Sequence, residues 1–368
     1  MHVKDLPSFK DMPPVAGMPH GTAWGLFDKN GERDDCGTLN LLTPENTLEA
    51  SKEIKSGRSV ALNWSQDRIH EPGFNRDSPN HTIRDLAEFG IKAYDDVISI
   101  NTQSGSQWDG FRSSSPFPFS IQHITYTACP SPPPPPLHNP IFPTQVNKTR
   151  EGHWAHQATS LYYNNLPHSE ISSPVPGTPC KNGIDAWTTR GGIVGRAVLI
   201  DYVAYAHRHN ISYSPVTRHE ISVETIEKIA KEQGVVFKEA DILIVRSGFV
   251  KWYEEASTEE RIRGAKNAHE FVGVKACEET VKWIWNQHFS AVAGDTVGFE
   301  SWPPEANTGL VLHDWLLALF GFPIGELWNL EELAKVCAKQ NRYSFFFTSA
   351  PLNFPGGVAS PPNAVAIF

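Results

Sequence analysis

Cysteine is scarce in this sequence: five residues (Cys36, Cys129, Cys180, Cys277, Cys337) in a chain of 368, scattered, odd in number and without a Cys-x-x-Cys pair. That excludes a disulfide framework and a thiolate zinc site, and reads the cysteines as reduced thiols. Long apolar runs are missing too. A membrane helix needs about 20 consecutive apolar residues, and the richest stretch, Leu316–Ile324, is short and broken by Pro323; no membrane partner is expected. Positive charge has no surplus. Lys+Arg 32 against Asp+Glu 41 gives a net charge of −9 and a pI near 5.9, which argues against a phosphate-binding surface and so against a nucleic-acid partner. Met1–Gly21 carries Lys4, Asp5, Lys10, Asp11 and several prolines but no apolar signal core, so a cytoplasmic location is the expectation and the sequons at Asn80, Asn147 and Asn210 carry little weight. A Gly-x-Ser-x-Gly elbow and a Walker sequence are also absent, which leaves serine-hydrolase and P-loop readings without support.

Aromatic residues, by contrast, are plentiful. Trp 11, Tyr 9 and Phe 20 with 20% charged residues describe a globular chain with a large core. No internal repeat or linker divides it, so 1–368 is expected to be a single domain. Thr43 as N-cap and Pro44 at the first helical position predict a helix with Leu48, Ala50 and Ile54 on its apolar face, ending at Gly57. Ser222 to Gly234 predicts another, burying Val223, Ile226, Ile229 and Ala230. Val274–Gln287 and Leu312–Phe320 are further helix candidates. Strands are expected at Ser59–Trp64, Val97–Asn101, Arg196–Tyr202, Ile242–Arg246, Ala291–Gly294 and Tyr343–Thr348, the last followed by a Pro/Gly-rich tail. Strands alternating with helices indicate an α/β fold. Arg190–Gly195 has dinucleotide-loop glycines, but it precedes a strand where that fingerprint must follow one, and it is rejected as a cofactor site.

Ser113–Gly152 breaks the pattern. It includes the run Pro132–Pro136 and shows no period that could bury a face, so it reads as a disordered, Pro-rich insertion with polyproline II character. Its composition is foreign to the rest, as a retained intron would be. A proline-recognition or regulatory loop is the other reading. Removing it joins Gln103-Ser-Gly-Ser-Gln107-Trp-Asp109-Gly-Phe-Arg112 to His153-Trp-Ala-His156.

The joined segment resembles the His-x-Gly-Thr-His-x-Asp-x-Pro-x-His signature of the cyclase family that includes bacterial kynurenine formamidase and isatin hydrolase. Asp109 falls on the signature aspartate, Gln103 and Gln107 on its first two histidines, and His153 on its last. Leu312-His313-Asp314-Trp315-Leu316 and Pro323-Ile324-Gly325-Glu326-Leu327 resemble the later His and Glu of the same site. Trp24-Gly25, Gly37-Thr38-Leu39-Asn40, Gly192–Arg196 and Pro351-Leu352-Asn353 look most like a fungal and bacterial branch. The resemblance implies a swivelling β/β/α domain with a mixed sheet and surrounding helices, a homodimer or homotetramer, and hydrolysis of an amide, lactam or lactone in a small-molecule substrate, or the related ring closure or dehydration.

In the family, histidines and carboxylates hold Zn²⁺ or Mn²⁺, which acidifies a water and polarises a carbonyl. Here two of those histidines are glutamine, whose amide oxygen is a weak ligand. Asp109, His313 and Glu326 remain as metal candidates, and the same three could work without a metal as general acid and base. The resemblance makes Asp109 and Glu326 base or ligands, His313 a ligand or electrostatic partner, His153 a proton shuttle, and Gln103, Gln107 and Trp108 the substrate-binding set. The aromatic content fits an aromatic or polyketide-like substrate of secondary metabolism, or simply a core. Structural alternatives stand beside each role: Asp109 capping a turn, His313 a satisfied core histidine, Glu326 a solvated residue at a helix start, Asp295 a turn residue, His153 and His156 packing on Trp154, and His207 with His209 a solvated helix end. A binding or scaffold protein that has lost the metal site is the alternative in another class.

Overall fold

The computed structural model describes residues 6–74, 76–112, 159, 161–171, 180–267, 269–306 and 308–368; the insertion, His153 and His156 lie outside the described residues. Three apolar runs form the centre. Ile193–Asp201, Ile242–Arg246 and Ala291–Gly294 are buried almost end to end and pair in parallel, a pattern that needs cover on both faces. Helices supply it. Val223–Glu232 turns Val223, Ile226, Ile229 and Ala230 inward, as its spacing predicts, with the Ser222 side chain accepting from the Thr225 N–H. Asp201 ends its strand and caps the next helix, Tyr202–Arg208, by accepting from the Ala204 N–H at 3.0 Å.

The full sheet has nine strands in the order Ser59–Ala61, Ala364–Ile367, Ser344–Ser349, Ile193–Asp201, Ile242–Arg246, Ala291–Gly294, Ile324–Glu326, Gln107–Asp109 and Ala359–Ser360. Ile324–Glu326 continues the parallel set beside Ala291–Gly294, whereas Gln107–Asp109 runs antiparallel between Ile324–Glu326 and Ala359–Ser360. The mixed α/β architecture expected from the sequence is thus present. Among the described residues no helix is long and apolar enough to cross a membrane. Cys36, Cys180, Cys277 and Cys337 are free thiols, and Cys129 lies outside the described residues.

Several expectations need correction. The helix begun by Thr43 and Pro44 stops at Ala50, followed by a 3₁₀ turn at Ser51–Glu53; Leu48, within the helix, and Ile54, beyond it, are exposed at 71% and 40%, and only Ala50 of the expected apolar face is buried. The helix placed from Val274 starts at Glu278, because Gly273–Val274 pairs with Glu220–Ile221 instead. The Pro/Gly-rich tail is not irregular throughout: Ala364–Ile367 inserts between Ser59–Ala61 and Ser344–Ser349. The strand expected at Val97–Asn101 runs over Tyr94–Ser99 and pairs with Asn80–Asp85 in a hairpin separate from the main sheet, every strand residue of which is exposed.

Gly325 shows how tightly the pair Ile324–Glu326 and Gln107–Asp109 is packed. A Cβ at Gly325 would lie 2.6 Å from Trp328 Cζ2 and 2.7 Å from Ala293 Cβ. Trp328 cannot withdraw, since its Nε1–H donates to the Gln107 carbonyl at 2.9 Å and its ring meets Trp108 edge-on at 4.8 Å. Gly325→Ala is therefore expected to destabilise the fold by about 2 kcal/mol through overpacking, read as a lower urea midpoint at unchanged m-value.

Candidate active site

Alternation along the strand puts Gln107 and Asp109 on one face, and the register places Glu326 directly opposite Gln107. All three side chains are almost fully buried, at 0%, 2% and 3% exposure. His313 reaches the same point from the turn before Asp314–Phe320, a seven-residue π-helix whose side chains are all buried. Helix stretches of this kind recur at functional sites. The helix expected at Leu312–Phe320 is thus there, wound more widely than an α-helix, and Gly321 at φ +64° ends it.

The polar contacts sort into an outer ring and an inner edge. Gln103 Nε2 donates to Asp109 Oδ1 at 2.9 Å. Gln107 Nε2 donates to the same oxygen at 3.1 Å and to Glu326 Oε2 at 2.7 Å. One oxygen of each carboxylate is thereby held by neutral amides, while the other faces inward: Glu326 Oε1 lies 2.9 Å and Asp109 Oδ2 3.8 Å from His313 Nε2. The imidazole is oriented from behind. Glu300, 2% exposed, takes the His313 Nδ1 at 2.7 Å on one oxygen and the His313 backbone N–H at 3.2 Å on the other. As a carboxylate only accepts, Nδ1 carries the proton in this pair.

Electrostatics follow from the burial. Burial raises the Glu326 carboxyl, the nearby Asp109 charge raises it further, and His313 only partly offsets them, leaving it at about 7. Burial alone would hold His313 neutral, but the charges of Glu300 and Glu326 outweigh it and lift the imidazole well above its ordinary value. Burial pushes Glu300 up as well, and contact with His313 overrides this and keeps it low. Asp314, beside His313 and with an unpartnered Oδ2, is raised by burial to about 7.

One imidazole nitrogen and two carboxylates, whose ligand atoms all lie within 4.8 Å of one another, fit a divalent cation. The Gln107 carbonyl Oε1, at the end of the amide turned away from the carboxylates that Nε2 contacts, is buried without a hydrogen-bond partner, a condition that costs about 1–3 kcal/mol.

Asp109, His313, Glu326, Gln103 and Gln107 are thus brought together; Asp109 and Glu326 lie on buried strands, not at a turn or a solvated helix start, whereas His313, with a carboxylate at each ring nitrogen, still fits a satisfied histidine as well as a site residue. Two roles change. Trp108 points to the other face of the strand, is 0% exposed, packs against Trp187 and Trp328 and donates to Ser349 Oγ at 2.9 Å; it is a core residue and not a substrate contact. Gln103 and Gln107 direct their amide N–H groups at carboxylates, so they anchor Asp109 and Glu326 before they could orient a substrate. His153, given the shuttle role, lies outside the described residues. Asp295 is fully buried and accepts from Ser247 N, Ser247 Oγ and Gly248 N, a turn role. His209 pairs with Glu232 on an exposed helix end.

Two residues escaped sequence reasoning. Glu300 sits in Gly298-Phe299-Glu300-Ser301 with no local signal; its segment is set in place by isolated bridges from Glu300 to Val274 and from Trp302 to Phe271. Arg76 donates to the Gln103 carbonyl, and its charge also acts on Glu326; it belongs to a polar loop that offers no period to read.

The model of the family described as "Putative cyclase" matches residues 64–301. The crystal structure of a novel cyclase is similar at a TM-score of 0.71 and 27% identity, covering 94% of this chain and 99% of that one. Isatin hydrolase A from Ralstonia solanacearum aligns at a TM-score of 0.48 and 13% identity over 84% of this chain and 91% of its own. Curated protein sequences yield no significant match.

If Glu300 orients His313, Glu300→Gln lowers the pH at which the imidazole titrates, followed by ¹⁵N NMR, and reduces turnover about 10–100-fold. An unchanged titration would remove Glu300 from this role.

Proposed function

The chain belongs to the cyclase family, and from that premise we propose that it is an enzyme that adds water to the carbonyl of a small molecule, opening an amide, lactam or lactone, with ring closure or dehydration as variants of the same chemistry. The observation that supports this reading best is the convergence of the inward edges of Asp109 and Glu326 on His313 Nε2. Such a centre has a base, an oriented imidazole and a fixed anion in one buried place, which is what carbonyl addition requires. Formamidase-like substrates, an N-formyl group on an aromatic amine among them, belong to this class.

Asp109, Glu326 and His313 would hold a divalent cation, which when bound supplies Lewis-acid polarisation of the carbonyl and a more acidic water. The residues themselves do the following. Glu326, whose proton affinity is raised by burial and by Asp109, takes the proton of the attacking water. Its conjugate acid returns that proton to the departing nitrogen or oxygen, so the carboxylate is restored when the carbon–heteroatom bond breaks. Asp109 stays in place because Gln103 and Gln107 donate to it. Glu300 holds Nε2 of His313 toward the reacting group. His153 as shuttle, and the homodimer or homotetramer, remain proposals from the resemblance. The exposed hairpin favours assembly: Ile83, Tyr94 and Ile98 lie on one of its faces, open to solvent at 66%, 74% and 61%, more apolar surface than an isolated hairpin carries comfortably.

The test is a screen of N-formyl aromatic amines, lactams and lactones, with and without added Mn²⁺ or Zn²⁺, followed by a pH profile on the best substrate. In protein free of divalent cations, a base raised to about 7 is protonated and idle below that pH, so kcat/KM should climb as pH rises through about 7, and a bound cation, which opposes protonation of Glu326, should move that limb to lower pH. Glu326→Gln should remove that limb and cut turnover about 10²–10⁴-fold. Unchanged turnover in Glu326→Gln excludes the assignment. A folded, cation-supplemented protein inert toward every class would favour a binding or scaffold role instead.

A further inference from the structure

Arginines set into this fold are held on more than one side. Arg196 and Arg246 each hold two carboxylates, and Arg112 and Arg190 each hold two backbone carbonyls. Arg76, half-buried, is the exception beside the site: its Nη1 donates to the Gln103 carbonyl, whereas Nε and Nη2 have no partner among the described residues. Its place is nonetheless fixed. The Arg76 backbone N–H donates to the Gly73 carbonyl at 3.2 Å, and the guanidinium lies 5.3 Å over the Phe74 ring. Phe74 has φ +59° and is 39% exposed, a backbone conformation that a bulky residue keeps only where its surroundings impose it. The start of the same loop is tied down as well, since Gln66 Nε2 donates to the Ser106 carbonyl at 2.9 Å. Gln103 joins this loop to the centre: its carbonyl takes Arg76, and its Nε2 donates to Asp109. The Arg76 charge is accordingly felt at Glu326.

We propose that Arg76 is a substrate-binding residue that receives a carboxylate on its Nε and Nη2 edge, next to the centre formed by Asp109, Glu326 and His313, so that the molecules handled here are carboxylates and not neutral compounds. The inference rests on the reading of that centre as the reaction site and adds the class of its ligand. A brace for the Gln103 carbonyl needs one nitrogen, and the edge left over carries two parallel N–H groups, the geometry that a planar carboxylate matches with two hydrogen bonds. Charge points the same way. An anion entering beside Asp109, Glu326 and Glu300 is repelled unless a fixed cation offsets them, and a neutral molecule has no use for one. A phosphate would bring more negative charge to the same three acids, so a singly charged anion fits better. Phe74 keeps the guanidinium plane from swinging, so little freedom is lost when the ligand docks.

The experiment is calorimetric titration of the full chain with sodium benzoate and with benzamide, which are nearly equal in size and differ in charge, at a pH of about 8 where a carboxylate is ionised. The wild type should bind benzoate about tenfold more tightly than benzamide, or better. Arg76→Gln should bring this preference to within about twofold of unity. Arg76→Lys keeps the charge without the planar fork and should fall between the two; it also decides the matter if the thermal midpoint shows that Arg76→Gln does not fold. No benzoate binding by the wild type, no preference over benzamide, or a preference kept in Arg76→Gln would each overturn the proposal. So would a wild-type preference in Arg76→Lys, which would reduce Arg76 to a nearby charge. Turnover then tells where the carboxylate comes from. A preference for formamidobenzoates over formamidobenzamides that disappears in Arg76→Gln assigns it to the substrate, because the acid released from a formamide is formate. Inhibition by the ring-opened acid of a lactone, without that preference, assigns it to the product. A protein with the Arg76-dependent benzoate preference and no turnover loses the proposed activity and keeps this subsite; turnover without the preference does the reverse.

Discussion

Two carboxylates held close together in a place almost without water, with one imidazole between them, are the constraint around which this end of the molecule is organised. At about 4 Å and an effective dielectric of about 20, a pair of like charges repels by roughly 4 kcal/mol, enough to unfold a marginal domain unless something offsets it. Here the offset is distributed. Amide donors from Gln103 and Gln107 take one oxygen of each acid, His313 lies against the other, and Glu300 supports the imidazole from behind. The strand pairing that juxtaposes Gln107 and Glu326 and the Trp328–Gln107 bond that fixes it serve the same end.

How far this could be read from the sequence depends on whether a residue announces itself locally. The central strands did so, because Ile242–Arg246 and Ala291–Gly294 are short apolar runs with clear edges, and the helix after Ser222 did so through its cap and its period. Asp109, His313 and Glu326 were identifiable only as a set, through the resemblance; singly, each had an ordinary structural explanation. Glu300 was not identifiable at all, since a carboxylate whose segment is set in place by bridges to distant residues leaves no spacing to find. Trp108 was misassigned for a related reason: it sits between two site residues in sequence, and the strand period of two turns it to the opposite face.

Gln103 and Gln107 show why a substitution in a signature need not mean loss of function. As replacements for histidine they suggest a weakened metal site. In the fold they satisfy the carboxylates that a bare site would leave to repel one another. The Nε2 groups of Gln103 and Gln107 therefore account for much of the stability of the centre. The hairpin Asn80–Ser99 lies just before Gln103 in the chain, so the segment that carries the exposed apolar face also leads into the site.

Groups placed for chemistry usually lower stability, whereas groups placed for structure raise it, and this contrast offers the most direct measurement of whether Asp109 and Glu326 form a working centre. Asp109→Asn leaves an oxygen to accept from both glutamines and removes one of the two like charges. In protein freed of divalent cations its thermal midpoint should equal or exceed that of the wild type, while turnover, assayed with Mn²⁺ restored, falls about 10²-fold or more. A midpoint several degrees lower with turnover retained would contradict the account and mark Asp109 as a structural residue.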